Sequence, residues 1–179
     1  MCQIELYIPK KEELWYRKRM MEDPKTMDYN KGYFLDSKNY NNDTGCILFP
    51  KEDWDDWYEY FINNEPERYY AYILRKNDHT FLGEVCLRKI DDTKEYEMGI
   101  VIESIHRNNG YSKVAMKLLM EIAFEKFHTE TVRNTFEEER TAALHLHLNA
   151  GFSILNKNDN IVHLQLTKEQ YFKQNKSML

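Results

Sequence analysis

The chain has 179 residues, enough for one domain with a full hydrophobic core, and its 42% hydrophobic and 31% charged residues exclude a disordered or low-complexity polymer. A formal net charge of -5 and a pI near 5.7 argue against a general nucleic-acid binder, whose footprint is a basic excess. The three cysteines, Cys2, Cys46 and Cys86, are odd in number and lack Cys-x-x-Cys spacing, so no disulfide framework and no metal site is expected, and a reducing cytoplasm is the natural setting.

In chain order, residues 4–8 read as a short strand, and the N-terminus is too short and polar for a signal peptide. No later apolar run reaches the roughly 20 residues that span a bilayer, so no membrane partner is expected. An amphipathic helix is predicted over 10–22, stopped before Pro24. Residues 26–50 break into Tyr, Asn, Asp and Gly, the pattern of a long loop with at most a helical turn. Helical spacing returns over 52–63, and three strands follow at 69–75, 81–90 and 94–103, joined by turns short enough for an antiparallel meander. The strongest helix pattern covers 110–127. A strand at 131–136, a helix at 139–149 and a strand pair at 151–155 and 161–166 complete the chain. The order β-α-α-β-β-β-α-β-α-β-β describes a mixed α/β (α+β) sheet in a single domain over 1–179.

Residues 100–112 hold the most specific pattern: a β-branched strand runs into Arg107-Asn108-Asn109-Gly110-Tyr111-Ser112 and opens directly into a helix. Such a turn offers backbone N–H groups, and the helix N-terminus adds partial positive charge, which together favour a phosphorylated ligand. Arg107 is expected to add a cation, and Gly110 to let the main chain approach a pyrophosphate. Gly-x4-Gly-Lys-Ser/Thr is absent and no Gly-x-Gly-x-x-Gly follows the first strand, which disfavours a nucleotide-binding turn.

The run Arg107-x-x-Gly110-x-Ser112 resembles the cofactor motif Gln/Arg-x-x-Gly-x-Gly/Ala of the GNAT superfamily of acetyl-CoA-dependent N-acetyltransferases, with Ser112 a mild departure. Downstream, a strand, Arg140-x-x-Ala143 and Gly151-Phe152 resemble the family's second motif, with Arg140 in place of the usual Asn. The pattern is nearest to the ribosomal-protein and polyamine acetyltransferase branches, through Glu97-Met98-Gly99-Ile100. The resemblance implies the GNAT fold, acetyl-CoA as acetyl donor without a metal, and a primary amine of a small molecule or peptide N-terminus as acceptor. A homodimer is left open. It also implies that the strand holding Val101 and Ile102 splays from its neighbour to pair with pantetheine.

By the same resemblance, Glu97 is the leading candidate for general base, a solvent-facing or ion-paired strand residue being the alternative. Glu84 is the second candidate, unless it pairs with Arg88. His147 stands where many members place a Tyr that protonates the departing thiolate; otherwise it is a buried helix residue. On the acceptor side, position suggests Tyr29 and Tyr33, with Asn30 between them. Trp54, Trp57 and Tyr58 stand among acids that would suit an ammonium group, or else bury their rings. A second functional class remains, a sensor or scaffold that binds CoA without catalysis. Slow thiol release unaffected by any amine would distinguish it.

Overall fold

Two-residue alternation along the central strands sorts their side chains into two cores, one on each face of a single sheet. The computed structural model describes residues 3–37 and 39–176, so Cys2 falls outside the described residues. Seven strands, β1 (Ile4–Tyr7), β2 (Arg68–Arg75), β3 (Thr80–Lys89), β4 (Glu95–Ile102), β5 (Thr131–Glu137), β6 (Ser153–Asn158) and β7 (Ile161–Thr167), lie in the order β1-β2-β3-β4-β5-β7-β6. All neighbours are antiparallel except β4 and β5, which are parallel.

Tyr69, Ala71 and Ile73 of β2, Val85 and Leu87 of β3, and Tyr96 and Met98 of β4 point to one face. There they meet Ala115, Met116, Leu119 and Met120 of α4 (Tyr111–Glu121) and the apolar side of α5 (Thr141–Asn149). Tyr70 and Tyr72 point the other way, into Tyr16, Met20 and Met21 of α1 (Trp15–Met21) and into Trp57 and Phe61 of α3 (Trp54–Phe61). β2 is therefore covered on both sides, and Tyr69 through Leu74 are all buried.

The predicted order of elements is the observed one, with the single helical turn found at the start of the long loop and two differences further along. The long loop contains a four-residue helix, α2 (Pro24–Met27), because the Asp23 carboxylate accepts from the Lys25 and Thr26 N–H groups at 3.2 and 3.0 Å. The α4 helix widens into a π turn over Ile122–Lys126 rather than continuing regularly to 127. A C-terminal helix, α6 (Lys168–Lys176), packs Tyr171 on Phe124 at 4.7 Å between ring centroids. Among the described residues no helix is long and apolar enough to cross a membrane.

The feature that positions the site is a divergence in the sheet. β4 and β5 pair only through Glu95↔Thr131, Tyr96↔Val132 and Glu97↔Arg133. Beyond Glu97, β4 continues beside β3 to Ile102 while β5 continues beside β7 to Glu137. The strands open as a V whose apex is Glu97, and among the described residues the β5 flank of Met98–Ile102 has no strand partner.

Candidate active site

At the apex, one register row crosses four strands: Arg68 opposes Arg88, Arg88 opposes Glu97, and Glu97 opposes Arg133. A single carboxylate thus shares a row with three guanidinium groups, on the face that also bears α1 and α3. The Glu97 carboxylate is ion-paired with Arg88, and its side chain is 34% exposed toward a groove of about 430 Å³. Lys89, Asp91 and Thr135 line the same groove. Thr135 also lines a second cavity of about 280 Å³, bounded by Asn30, Tyr33, Phe34, Leu35, Phe136, Glu137, Arg140 and Ile161.

At the open end of the V lies the turn 107–112. Asn108 and Gly110 have positive φ angles of 64° and 76°, and Gly110 caps α4 without a side-chain hydrogen bond. Residues 108–110 are exposed, and a Cβ built on Gly110 meets nothing within 4 Å, so the space an anion needs is open. The first-turn N–H groups of α4 have no partner within the helix and face that end. The side chains depart from the expectation. Arg107 turns onto α2 and its neighbourhood, donating to the carbonyls of Thr26 at 2.5 Å, Lys25 at 3.3 Å and Ile102 at 3.2 Å. It works as a staple between the turn and residues 25–26, and the donors left facing the open end of the turn are main-chain N–H groups. Tyr111 is buried and accepts a hydrogen bond from Arg75 Nη1 at 3.1 Å, so only its backbone faces the turn. Val101 packs toward α1, Ile102 toward α4, and Ser112 is half-buried.

Glu84 is buried, and its partner is Arg17 rather than Arg88. Arg17 Nη1 lies 2.5 Å from both carboxylate oxygens, and the Tyr70 hydroxyl donates to the same group. The guanidinium stacks over Trp57 at 4.7 Å, Phe49 at 5.3 Å and Tyr70 at 5.5 Å. The aromatic helix does hold a cation, but the cation belongs to the protein. Trp54 itself is buried against Phe49, donating its indole N–H to the Phe49 carbonyl at 3.3 Å, away from the groove. Nearby Cys86 is partly buried beside Gly99, and desolvation together with Glu84 pushes its thiol up to about 11, which leaves it a poor nucleophile.

His147 is 1% exposed, between Phe136 and Phe152. Its Nδ1 lies 2.7 Å from the Ala143 carbonyl, which only a donor can satisfy, so Nε2 accepts from Asn134 Nδ2 at 2.9 Å. Burial lowers its pKa, and both ring nitrogens are engaged in the neutral form. Arg140 Nε pairs with Glu137 at 2.5 Å and its guanidinium is sandwiched between Tyr29 and Tyr33, each 5.1 Å away. Tyr29 is pushed up to about 12 by burial and then by Glu84, whereas Tyr33 donates to Glu139 at 3.1 Å. Residues 23–33 thereby bridge the V, tied to its β4 side through Arg107 and Ser104 and to its β5 side through Arg140.

Arg17, Arg68 and Thr135 were not readable as site residues in the sequence. Arg68 and Arg88 become partners only once the β2–β3 register is known, and Arg17 reaches Glu84 across 67 positions. Among the described residues no group of three or more His, Cys, Asp or Glu side chains could hold a metal ion.

Known proteins bear on this arrangement at two levels. A search of curated proteins gives no match. Among solved structures, spermidine N-acetyltransferase from Vibrio cholerae in complex with CoA and spermine superposes with a TM-score of 0.76 at 13% identity, covering 95% of this chain and 98% of its own. A GNAT-family acetyltransferase from Bacillus anthracis gives 0.72 at 12% identity, covering 93% and 96%. At such identity the likeness concerns the fold. The family profile of the acetyltransferase (GNAT) domain matches residues 8–153, a span that includes the V, its apex carboxylate and the turn 107–112. With the sheet order, the β4–β5 divergence and the sequence profile in agreement, the chain belongs to the GNAT acetyltransferase family.

Proposed function

We propose that the chain is an acetyl-CoA-dependent N-acetyltransferase that moves an acetyl group to a primary amine by direct transfer. The observation that supports this most is the V itself: a strand flank without a partner leads from Glu97 to a turn of main-chain donors. The residues present suit acetyl-CoA. The backbone of 108–112 and the α4 N-terminus would take the pyrophosphate, and the β5 flank of Met98–Ile102 would pair with the pantetheine amides. The thioester supplies the acetyl group. The attacking nitrogen forms the C–N bond as the C–S bond breaks, and the proton it sheds must end on the sulfur.

Glu97 is the residue we assign to receive the amine proton, because it stands at the apex where β4 and β5 part and faces the groove. A backbone N–H of the β4 flank is the candidate to hold the carbonyl oxygen as negative charge develops there. Cys86, partly buried and with its thiol pKa raised, is not suited to an acyl-enzyme step. We assign His147 a structural role, since its Nδ1 proton is committed to Ala143 and its Nε2 is occupied, and the thiolate then draws its proton through water or Glu97.

Spermidine, an aminoglycoside or a peptide N-terminus each presents the required amine, and the spermidine enzymes among the fold neighbours give the polyamine its place in the panel. The test is CoA release read by a thiol reagent, with isothermal titration of acetyl-CoA alongside. Glu97→Gln is expected to lower kcat by about 10²–10⁴-fold with acetyl-CoA affinity retained. Unchanged turnover in that variant removes Glu97 from the base role. Tight acetyl-CoA binding with no amine raising turnover makes the chain a CoA-binding sensor.

A further inference from the structure

Resting on the acetyltransferase reading, we infer that the amine accepted here carries an anion, a carboxylate or phosphate, and that Arg68 and Arg88 bind this anion beside Glu97. Like charges directly opposed on neighbouring strands destabilise a sheet, yet Arg68 and Arg88 are register partners on one face of it. Two other cations of the groove are answered within the protein: Arg133 by Glu95 at 2.8 and 2.9 Å, and Lys89 by Glu67 at 2.8 Å. Arg68 is not. Among the described residues no carboxylate lies within salt-bridge distance of it. Neutral groups hold it in place, the Tyr60 hydroxyl at 2.5 Å, the Glu67 carbonyl at 3.0 Å and the Tyr60 ring at 4.8 Å. A guanidinium fixed by neutral partners at the wall of a groove is a preorganised anion receptor.

A second, independent observation points the same way. The groups best suited to a cationic acceptor, Glu84 and the rings of Trp57, Phe49 and Tyr70, are spent on Arg17. A polyamine therefore finds that carboxylate neutralised and three arginines in the row at the apex. An anionic amine finds the reverse. Its anion engages Arg68 and Arg88, which draws Arg88 from Glu97 and leaves the carboxylate available to the ammonium group a few atoms away. Glu97 is then engaged by Arg88 until the right acceptor arrives.

The test is an acceptor panel at saturating acetyl-CoA: a set of α-amino acids, an amino-sugar phosphate, spermidine and a neutral arylalkylamine, with CoA release as the readout. One or both anionic classes are expected to give kcat/KM at least tenfold above spermidine and the neutral amine, and the two anionic arms separate carboxylate from phosphate. Arg68→Glu is expected to raise KM for the anionic acceptor by tenfold or more with acetyl-CoA affinity unchanged. Inorganic phosphate is expected to compete with the acceptor in the wild-type protein and to lose that competition in R68E. Preferred turnover of spermidine or of the neutral amine overturns the inference and leaves the acetyltransferase reading intact. Acetyl-CoA binding with no anionic amine acetylated overturns it as well. Failure to bind acetyl-CoA strikes the acetyltransferase reading itself.

Discussion

The proton on His147 Nδ1 belongs to the Ala143 carbonyl, and the consequence is a pH dependence of stability rather than of chemistry. Burial places the folded-state pKa below the ordinary value of 6.5, so between the two values the unfolded chain binds more protons. The contribution is complete above the unfolded value and is lost as pH falls toward the folded one. Urea midpoints at pH 5 and pH 7.5 should therefore show the wild type weaker at pH 5, with a smaller difference in His147→Gln; an equal difference rejects the buried neutral ring. The two carboxylates of the α1/α3 face should likewise part company. Glu84→Gln strands the Arg17 guanidinium, whose side chain is 15% exposed, and is expected to cost about 3–5 kcal/mol in chemical denaturation. Glu97→Gln breaks a pair that solvent reaches, at a cost of about 1 kcal/mol or less, with its effect on turnover instead. Both glutamates were candidates in the sequence, Glu97 through the family resemblance of Glu97-Met98-Gly99-Ile100 and Glu84 through its place on the preceding strand. The partner of Glu84 was not legible, since Arg17 is separated from it by two helices and a strand, and Arg88 could face either glutamate until the register is known.

Among the elements, β4 is the one whose position matters most to the site, and glycine sets it. A Cβ on Gly83 would stand 2.0 Å from the Val101 carbonyl oxygen, a backbone atom of the strand whose other flank opens into the V. Gly83→Ala must push β4, and it is expected to lower acetyl-CoA affinity about tenfold or more by calorimetry, together with a loss of about 1–3 kcal/mol in stability. Gly110→Ala offers the control. Nothing stands near its Cβ, so the φ of 76° is the whole cost, about 1–2 kcal/mol, and a larger loss would mean that the turn packs more tightly than its open surroundings indicate. The strands were legible because alternation survives tertiary packing, whereas α6 was missed because a single buried ring, Tyr171, does not make a stripe. Its start was written in the chain nonetheless. Thr167 and Gln170 form a reciprocal cap, Thr167 N–H to Gln170 Oε1 at 2.9 Å and Gln170 N–H to Thr167 Oγ1 at 3.3 Å, the Thr-x-x-Gln spacing of a capping box.

For the whole molecule, the divergence of β4 from β5 divides what is fixed from what a ligand must complete. Helices pack on both faces of the central strands, yet beyond Glu97 β4 and β5 no longer pair, and residues 23–33 tie the two sides of the V together through Arg107 and Arg140. A ligand that pairs with the β4 flank and the turn binds the folded chain and not the unfolded one, so its free energy adds to stability by mass action. At a hundredfold excess over Kd that addition is about 2.7 kcal/mol, which for a domain of this size raises the melting temperature by roughly 5–10 °C. Acetyl-CoA and CoA should both give this shift, since pyrophosphate and pantetheine are common to them. The acceptor amine alone should give little, because the Arg88–Glu97 pair must open to admit it. Differential scanning fluorimetry checks the ordering. A shift from the amine as large as that from CoA would place the main binding energy in the groove of Arg68 and Glu97, and would assign the V a secondary part in holding the substrates.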